Sequence, residues 1–207
     1  MTTTKFRRPA VILAAALLAA GCSTTRTQFY SLAETTAPAR ALATAGAPAY
    51  IELAPVAMPE RFARPQLVVR QKDTATGAQV DILEQHRWSS SFESELRDAL
   101  GSGVAARLGA VDITKSGRQR GQPTMRIGVQ LAQFDLIEGS RIDAAFSWTL
   151  RRADDGPMVA CTMSLSEPVA AGIDALAQGA QRVTARVADA IAASASAPKA
   201  GQAPFCG

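Results

Sequence analysis

Histidine is nearly absent from this chain, with His86 the one example in 207 residues. A metal site would need other donors, and no cysteine–histidine cluster stands at ligand spacing. A Ser-His-Asp constellation could draw only on His86, and no Gly-x-Ser-x-Gly elbow accompanies it. No Gly-x-x-x-x-Gly-Lys phosphate loop occurs either, so any nucleotide would be bound by another subunit. The acidic pair Asp154-Asp155 sits beside Gly156-Pro157, where turn chemistry explains it. The chain therefore reads as a non-enzyme, with no cofactor and no metal expected.

Long apolar runs are also scarce. One stretch, Pro9 to Gly21, is apolar, and about 20 residues are needed to cross a bilayer, so a polytopic membrane protein is excluded. A concentrated excess of basic charge is lacking. The formal net charge is +4, but Lys5, Arg7 and Arg8 precede the apolar run with no acidic residue to offset them. Without those three, 19 basic residues face 18 acidic ones, and nucleic-acid binding is not expected. No internal repeat is found. What is present is 47% hydrophobic residues, enough for a packed core.

Met1 to Cys22 has a basic start, the apolar stretch Ala10–Ala20 and a small-residue end, the pattern of an export signal. Leu18-Ala19-Ala20-Gly21-Cys22 resembles the lipobox of bacterial lipoproteins, although Leu18 stands one position earlier than usual and Ala19 fills its slot. That resemblance implies a diacylglyceryl group on the Cys22 thiol, cleavage before Cys22 and acylation of the new amine. The competing reading is an ordinary cleaved leader followed by an incidental cysteine. Ser23 stands where, in the enteric sorting rule, aspartate would favour the inner membrane, so the outer membrane is expected.

After the anchor, Ser23–Gln28 is polar and Thr35–Pro48 is rich in Ala, Thr and Pro, with Phe29-Tyr30-Ser31-Leu32 as an apolar island between them. If residues 23–49 were all flexible, their mean reach would be roughly 30 Å. If the island docks as an edge strand, the tether shrinks to six residues, and the pattern leaves both readings open. The expected organisation is a leader over 1–21, a lipidated terminus and linker over 22–48, a folded domain over 49–193 and a flexible tail over 194–207.

Within the domain, Ile51–Leu53, Gln66–Arg70 and Val80–Leu83 read as strands, with turn chemistry at Asp73–Gly77. Ser89–Leu108 reads as a helix that Ser89, Ser90 or Ser91 can cap, and Gly101 and Gly103 predict a weak point within it. Met125, Ile127, Val129 and Leu131 alternate with less apolar neighbours, and the phase then switches to Phe134 and Leu136. That switch predicts a β-bulge near Ala132–Gln133. Ile142–Leu150 and Val159–Leu165 alternate in turn, joined by the hairpin signal Asp154–Pro157. A last helix, with Asp174 as a candidate cap, carries the stripe Leu176, Ala180, Val183, Val187 and Ile191. The expected fold is a single α/β domain: a mixed β-sheet with an antiparallel three-strand meander, packed by two main helices.

Cys161 and Cys206 remain once Cys22 is modified. An oxidising periplasm permits a bridge between them, while the phase of Cys161 with Val159, Met163 and Leu165 suits a small buried hydrophobe. Arg61 and Arg64, flanked by Pro59 and Pro65, are candidate partner contacts, with loop geometry and local ion pairs as the competing explanation.

The ordered features resemble the ABC-type transport auxiliary lipoproteins, the PqiC-like family. They are Cys22, then Phe29–Leu32, then Val56–Arg70, His86-Arg87-Trp88 before the first long helix, and the closing Ala-rich helix. Ser89-Ser90-Ser91-Phe92 departs from the small-acidic-Pro-Leu run that the family carries after the Trp. The resemblance implies a compact α/β lipoprotein that docks the MCE-domain protein of an ABC-type lipid transporter at the outer membrane, and it leaves a homo-oligomer open. Rival readings are an envelope lipoprotein regulating a cell-wall synthase or outer-membrane assembly protein, and a periplasmic hydrolase, which the missing catalytic cluster disfavours.

Overall fold

A computed structural model describes residues 26–34, 49–71, 78–117, 121–122, 124–152, 158–196 and 206. The leader with Cys22, the 35–48 linker, the Asp73–Gly77 turn and the Asp154–Pro157 hairpin tip lie outside the described residues.

In chain order the elements are β1 (Gln28–Tyr30), β2 (Tyr50–Leu53), a 3₁₀ turn (Glu60–Phe62), β3 (Gln66–Arg70), β4 (Val80–Trp88) and α1 (Phe92–Leu108). Then come β5 (Val111–Asp112), β6 (Thr124–Ile137), β7 (Arg141–Arg152), β8 (Met158–Pro168) and α2 (Ile173–Ser196). All eight strands join one mixed sheet, with β6 as its axis. On one flank of β6, β7 and then β8 pair antiparallel in succession. On its other flank, β2 lies parallel to the first residues of β6 and β3 meets it near Leu136. β4 pairs antiparallel to β3, β1 parallel to β4, and β5 parallel to β2.

The expected bulge is present. Register runs from Leu131 opposite Phe146 to Gln133 opposite Ala145, so Ala132 is the extra residue. The insertion carries the apolar phase from Leu131 to Phe134. The residues on both sides of it therefore meet Ile142, Ala144, Phe146, Trp148 and Leu150 of β7, all buried.

Ser91 caps α1, its hydroxyl accepting from Ser94 N–H at 3.2 Å, and Gly109 closes the helix in the left-handed region at φ 65°. The weak point expected at Gly101 and Gly103 does not appear, and α1 runs unbroken. Both glycines are buried where neighbours approach closely: a β-carbon on Gly103 would stand 3.1 Å from the Ala188 methyl of α2. At Gly103 the missing side chain lets the two helices pack together, and at Gly101 it leaves room for the Asp112 side chain; that packing offsets the helix-propensity cost of about 1 kcal/mol per glycine.

The α2 stripe Leu176, Ala180, Val183, Val187 and Ile191 is fully buried, and the helix packs on α1, β7 and β8. Asp174 does not cap α2; it lies in the first turn and accepts from Tyr30. Of the tail expected over 194–207, the first three residues are helical, and the rest apart from Cys206 lies outside the described residues. α2 continues through Ser196, with Ser194 and Ala195 both buried.

The Phe29–Leu32 island docks. Gln28–Tyr30 pairs with His86–Trp88, Leu32 is fully buried, and its N–H donates to Glu95 Oε2 at 3.0 Å. Gln181 Nε2 donates to the Ser31 and Ala33 carbonyls at 2.9 and 3.1 Å, and Arg107 bonds both Glu34 and Asp189. Burial of Arg107 opposes its charge, but those two carboxylates outweigh it and its pKa is raised. The folded body therefore takes in a strand from the segment expected to be linker.

Candidate contact site

Pro59 and Pro65 set the ends of a short excursion between β2 and β3. Pro59, at φ −60°, precedes the 3₁₀ turn, and Phe62 is its buried residue. Phe62 points into an aromatic cluster centred on Phe92, whose ring lies 6.2 Å from Phe62, 5.4 Å from Trp88 and 5.2 Å from Phe134. With Phe62 held inside, the residues on either side of it turn outward.

Arg61 and Arg64 thus flank one recess of about 110 Å³. Its apolar wall includes Phe62, Val68, Phe134 and Leu136, and Val80 and Ile82 form its lip at 45% and 43% exposure. The Arg61 guanidinium lies 4.4 Å from the centre of the Phe62 ring, and its Nη2 reaches only the carbonyl of the bulged Ala132, at 3.4 Å. Arg64 Nε is buried and has no hydrogen-bond partner. Among the described residues neither guanidinium is paired with a carboxylate. Arg70, on the same wall, is paired with Asp135 at 2.8 Å. Two cations with no carboxylate partner among the described residues, beside an apolar wall, have the chemistry to receive an anionic, partly apolar group. Loop geometry accounts for the display of Arg61 and Arg64, and no ion pair to either occurs among the described residues.

His86 belongs to a different arrangement. Its Nδ1 lies 2.9 Å from Tyr30 Oη, which donates to Asp174 Oδ1 at 2.8 Å, and the two rings are stacked 5.9 Å apart. A phenol has one proton to give, and the carboxylate is the stronger acceptor, so His86 Nδ1–H donates to Tyr30. Burial first, then the hydrogen bond and charge of Asp174, push the Tyr30 pKa up to about 12. The cluster clips β1 to β4 and α2. No spacing rule could find it, because residues 30 and 86 come together only through the parallel β1–β4 pairing and residue 174 only through the placement of α2 beside them.

Cys161 and Cys206 lie at bonding distance, Sγ–Sγ 2.07 Å with Cα atoms 5.3 Å apart, at the outer edge of β8. Cys161 is also buried against Ser194 of α2, so both readings of its phase describe it. No group of three or more His, Cys, Asp or Glu side chains suited to a metal occurs among the described residues, and none of the described helices is long and apolar enough to cross a membrane.

A mixed eight-stranded sheet packed by two helices, with an N-terminal strand clipped to its edge, defines a mixed α/β domain. The chain belongs to the ABC-type transport auxiliary lipoprotein component family, whose model matches residues 30–192. An uncharacterized protein of known crystal structure has the same fold at 19% identity and TM-score 0.63, covering 81% of this chain and 97% of its own. The protein XCC0632 from Xanthomonas campestris is similar at 12% identity and TM-score 0.54, over 78% of this chain and 90% of its own. No curated protein matches. Family membership makes the chain an auxiliary lipoprotein component of a transport system, a family that is no known enzyme class.

Proposed function

We propose that the chain is exported, acylated at Cys22 and held in the outer membrane, and that its folded body docks the MCE-domain protein of an ABC-type lipid transporter. The body works by contact and turns over no substrate. The observation that carries this reading is the extent of the family match, which starts in β1 and ends within α2, taking in nearly the whole folded body. The position of β1 supports it further. Gln28 is six residues from Cys22, so the body is held close to its anchor and can present a partner at the membrane surface.

Cross-linking in intact cells, followed by affinity capture from the membrane fraction, tests this. An MCE-domain protein is expected among the captured chains. Capture of a cell-wall synthase or an outer-membrane assembly protein with no MCE-domain protein would overturn the docking role.

A further inference from the structure

We propose that the face of β4 carrying Val80 and Ile82, with Phe29 beside it and the Arg61–Arg64 recess behind it, lies against the anionic lipid surface that holds the Cys22 acyl chains. This placement assumes the Cys22 anchor proposed above.

Direction comes first. β1 runs parallel to β4, with Gln28 opposite His86, and Thr27 Oγ1 donates to Gln85 Oε1 at 2.9 Å. Followed back toward the amino terminus, the chain thus leaves β1 along the outer edge of β4 and heads toward its Val80 end. Cys22 is five residues before Thr27, and a chain of that length reaches no more than about 18 Å whatever its path. The anchor is therefore tied to this edge of the sheet.

Chemistry points the same way. Cross-strand partners share a face: Phe29 pairs with Arg87, Arg87 with Gln66, Val68 with Ile82 and Arg70 with Val80. Since Gln66, Val68 and Arg70 alternate along β3, Phe29, Ile82 and Val80 stand on one face of the sheet. Tyr30, on the other face, reaches Asp174 of α2. Phe29 is 64% exposed, and with Val80 and Ile82 it supplies three of the five large apolar side chains exposed among the described residues. Arg61 and Arg64 add two guanidiniums that have no carboxylate partner among the described residues. Apolar side chains that enter the headgroup boundary, with cations to meet anionic phosphates, are the pattern of a peripheral membrane surface. Such a patch is weak alone, and the tether makes its contact intramolecular and so effective.

The test uses the acylated chain purified from membranes and reconstituted into vesicles of phosphatidylglycerol and phosphatidylethanolamine. A fluorophore is placed at Ile82→Cys in one sample and at Met158→Cys in another. Met158 is 58% exposed and lies on β8, four strands and about 19 Å across the sheet from β4. Quenching by a nitroxide-headgroup lipid is expected to be at least threefold stronger at 82 than at 158, and Arg61→Glu with Arg64→Glu is expected to bring the two together. Equal quenching, stronger quenching at 158, or protection of 82 only after an acidic protein partner is added would overturn the proposal. The chain from Ser23, held on nickel-chelating lipid by an N-terminal hexahistidine, is measured in parallel. If native acylation is absent while this chain still favours 82, the anchor reading fails and the orientation stands.

Discussion

Gly179 of α2 lies so close to Val169 that a β-carbon at position 179 would stand 2.3 Å from Val169 Cγ1, and 2.9 Å from Ile142 Cδ1. Both neighbours are buried, so the helix meets the sheet through a position that admits no side chain. Alanine is the better helix former by about 1 kcal/mol, and overpacking costs about 1–3 kcal/mol. Because the approach to Val169 is so close, Gly179→Ala is expected to fall at the upper end of that balance and destabilise the domain by up to about 2 kcal/mol in urea unfolding. Adding Val169→Ala is expected to cost less than the sum of the two single changes, because it removes the clash.

The raised pKa of Tyr30 has a pH signature. A proton held more tightly in the folded state than in the unfolded one gives stability that is complete below pH 10 and lost as pH rises toward about 12. Tyr30 is partly solvated, so the loss is modest. Tyr30→Phe is expected to flatten the fall in thermal midpoint over that interval, and to lower stability at neutral pH by about 1 kcal/mol through the lost hydrogen bonds. An unchanged alkaline profile in the variant would count against the cluster.

Cys161 and Cys206 are 45 residues apart, and a cross-link of that length restrains the unfolded chain by about 4 kcal/mol in the chain-entropy model. Reduction is expected to add the mass of two hydrogens to the intact chain and to cost about 2–4 kcal/mol of stability. A mass that does not change on reduction would show free thiols.

Cys22→Ala is expected to abolish incorporation of labelled fatty acid and to move the chain from the membrane to the soluble fraction of the envelope. Each buried methylene contributes about 0.8 kcal/mol, so losing the acyl chains removes the anchor outright. Label that persists in the variant would exclude Cys22 as the acylated residue.

Much of the fold can be read from local pattern. The change of apolar phase between Leu131 and Phe134 locates the bulge because side chains alternate with a period of two, and one extra residue must invert them. The α2 stripe and the Ser91 cap follow in the same way from helical periodicity and from the geometry of a short hydroxyl side chain. Gly101 and Gly103 mislead for a corresponding reason. Propensity counts what a glycine costs its own helix, and it is blind to the neighbours that need the space, Asp112 beside Gly101 and Ala188 of α2 beside Gly103. The candidate site was half legible: two prolines around Arg61 and Arg64 mark an exposed loop, but the recess behind it is closed by Phe134, Val80 and Ile82 from distant strands.

The sequence by itself determined that a basic start and an apolar run precede Cys22, that the body alternates into strands between two helices, and that no Gly-x-Ser-x-Gly or Gly-x-x-x-x-Gly-Lys motif is present. These are properties of composition and short-range spacing. Only the tertiary structure decided that the Phe29 island is a strand of the domain, that Tyr30, His86 and Asp174 form one cluster, and that two arginines meet an apolar lip. Each of these depends on which strands become neighbours. Strand order is set by burial and pairing across the whole chain, which no local stretch of sequence records.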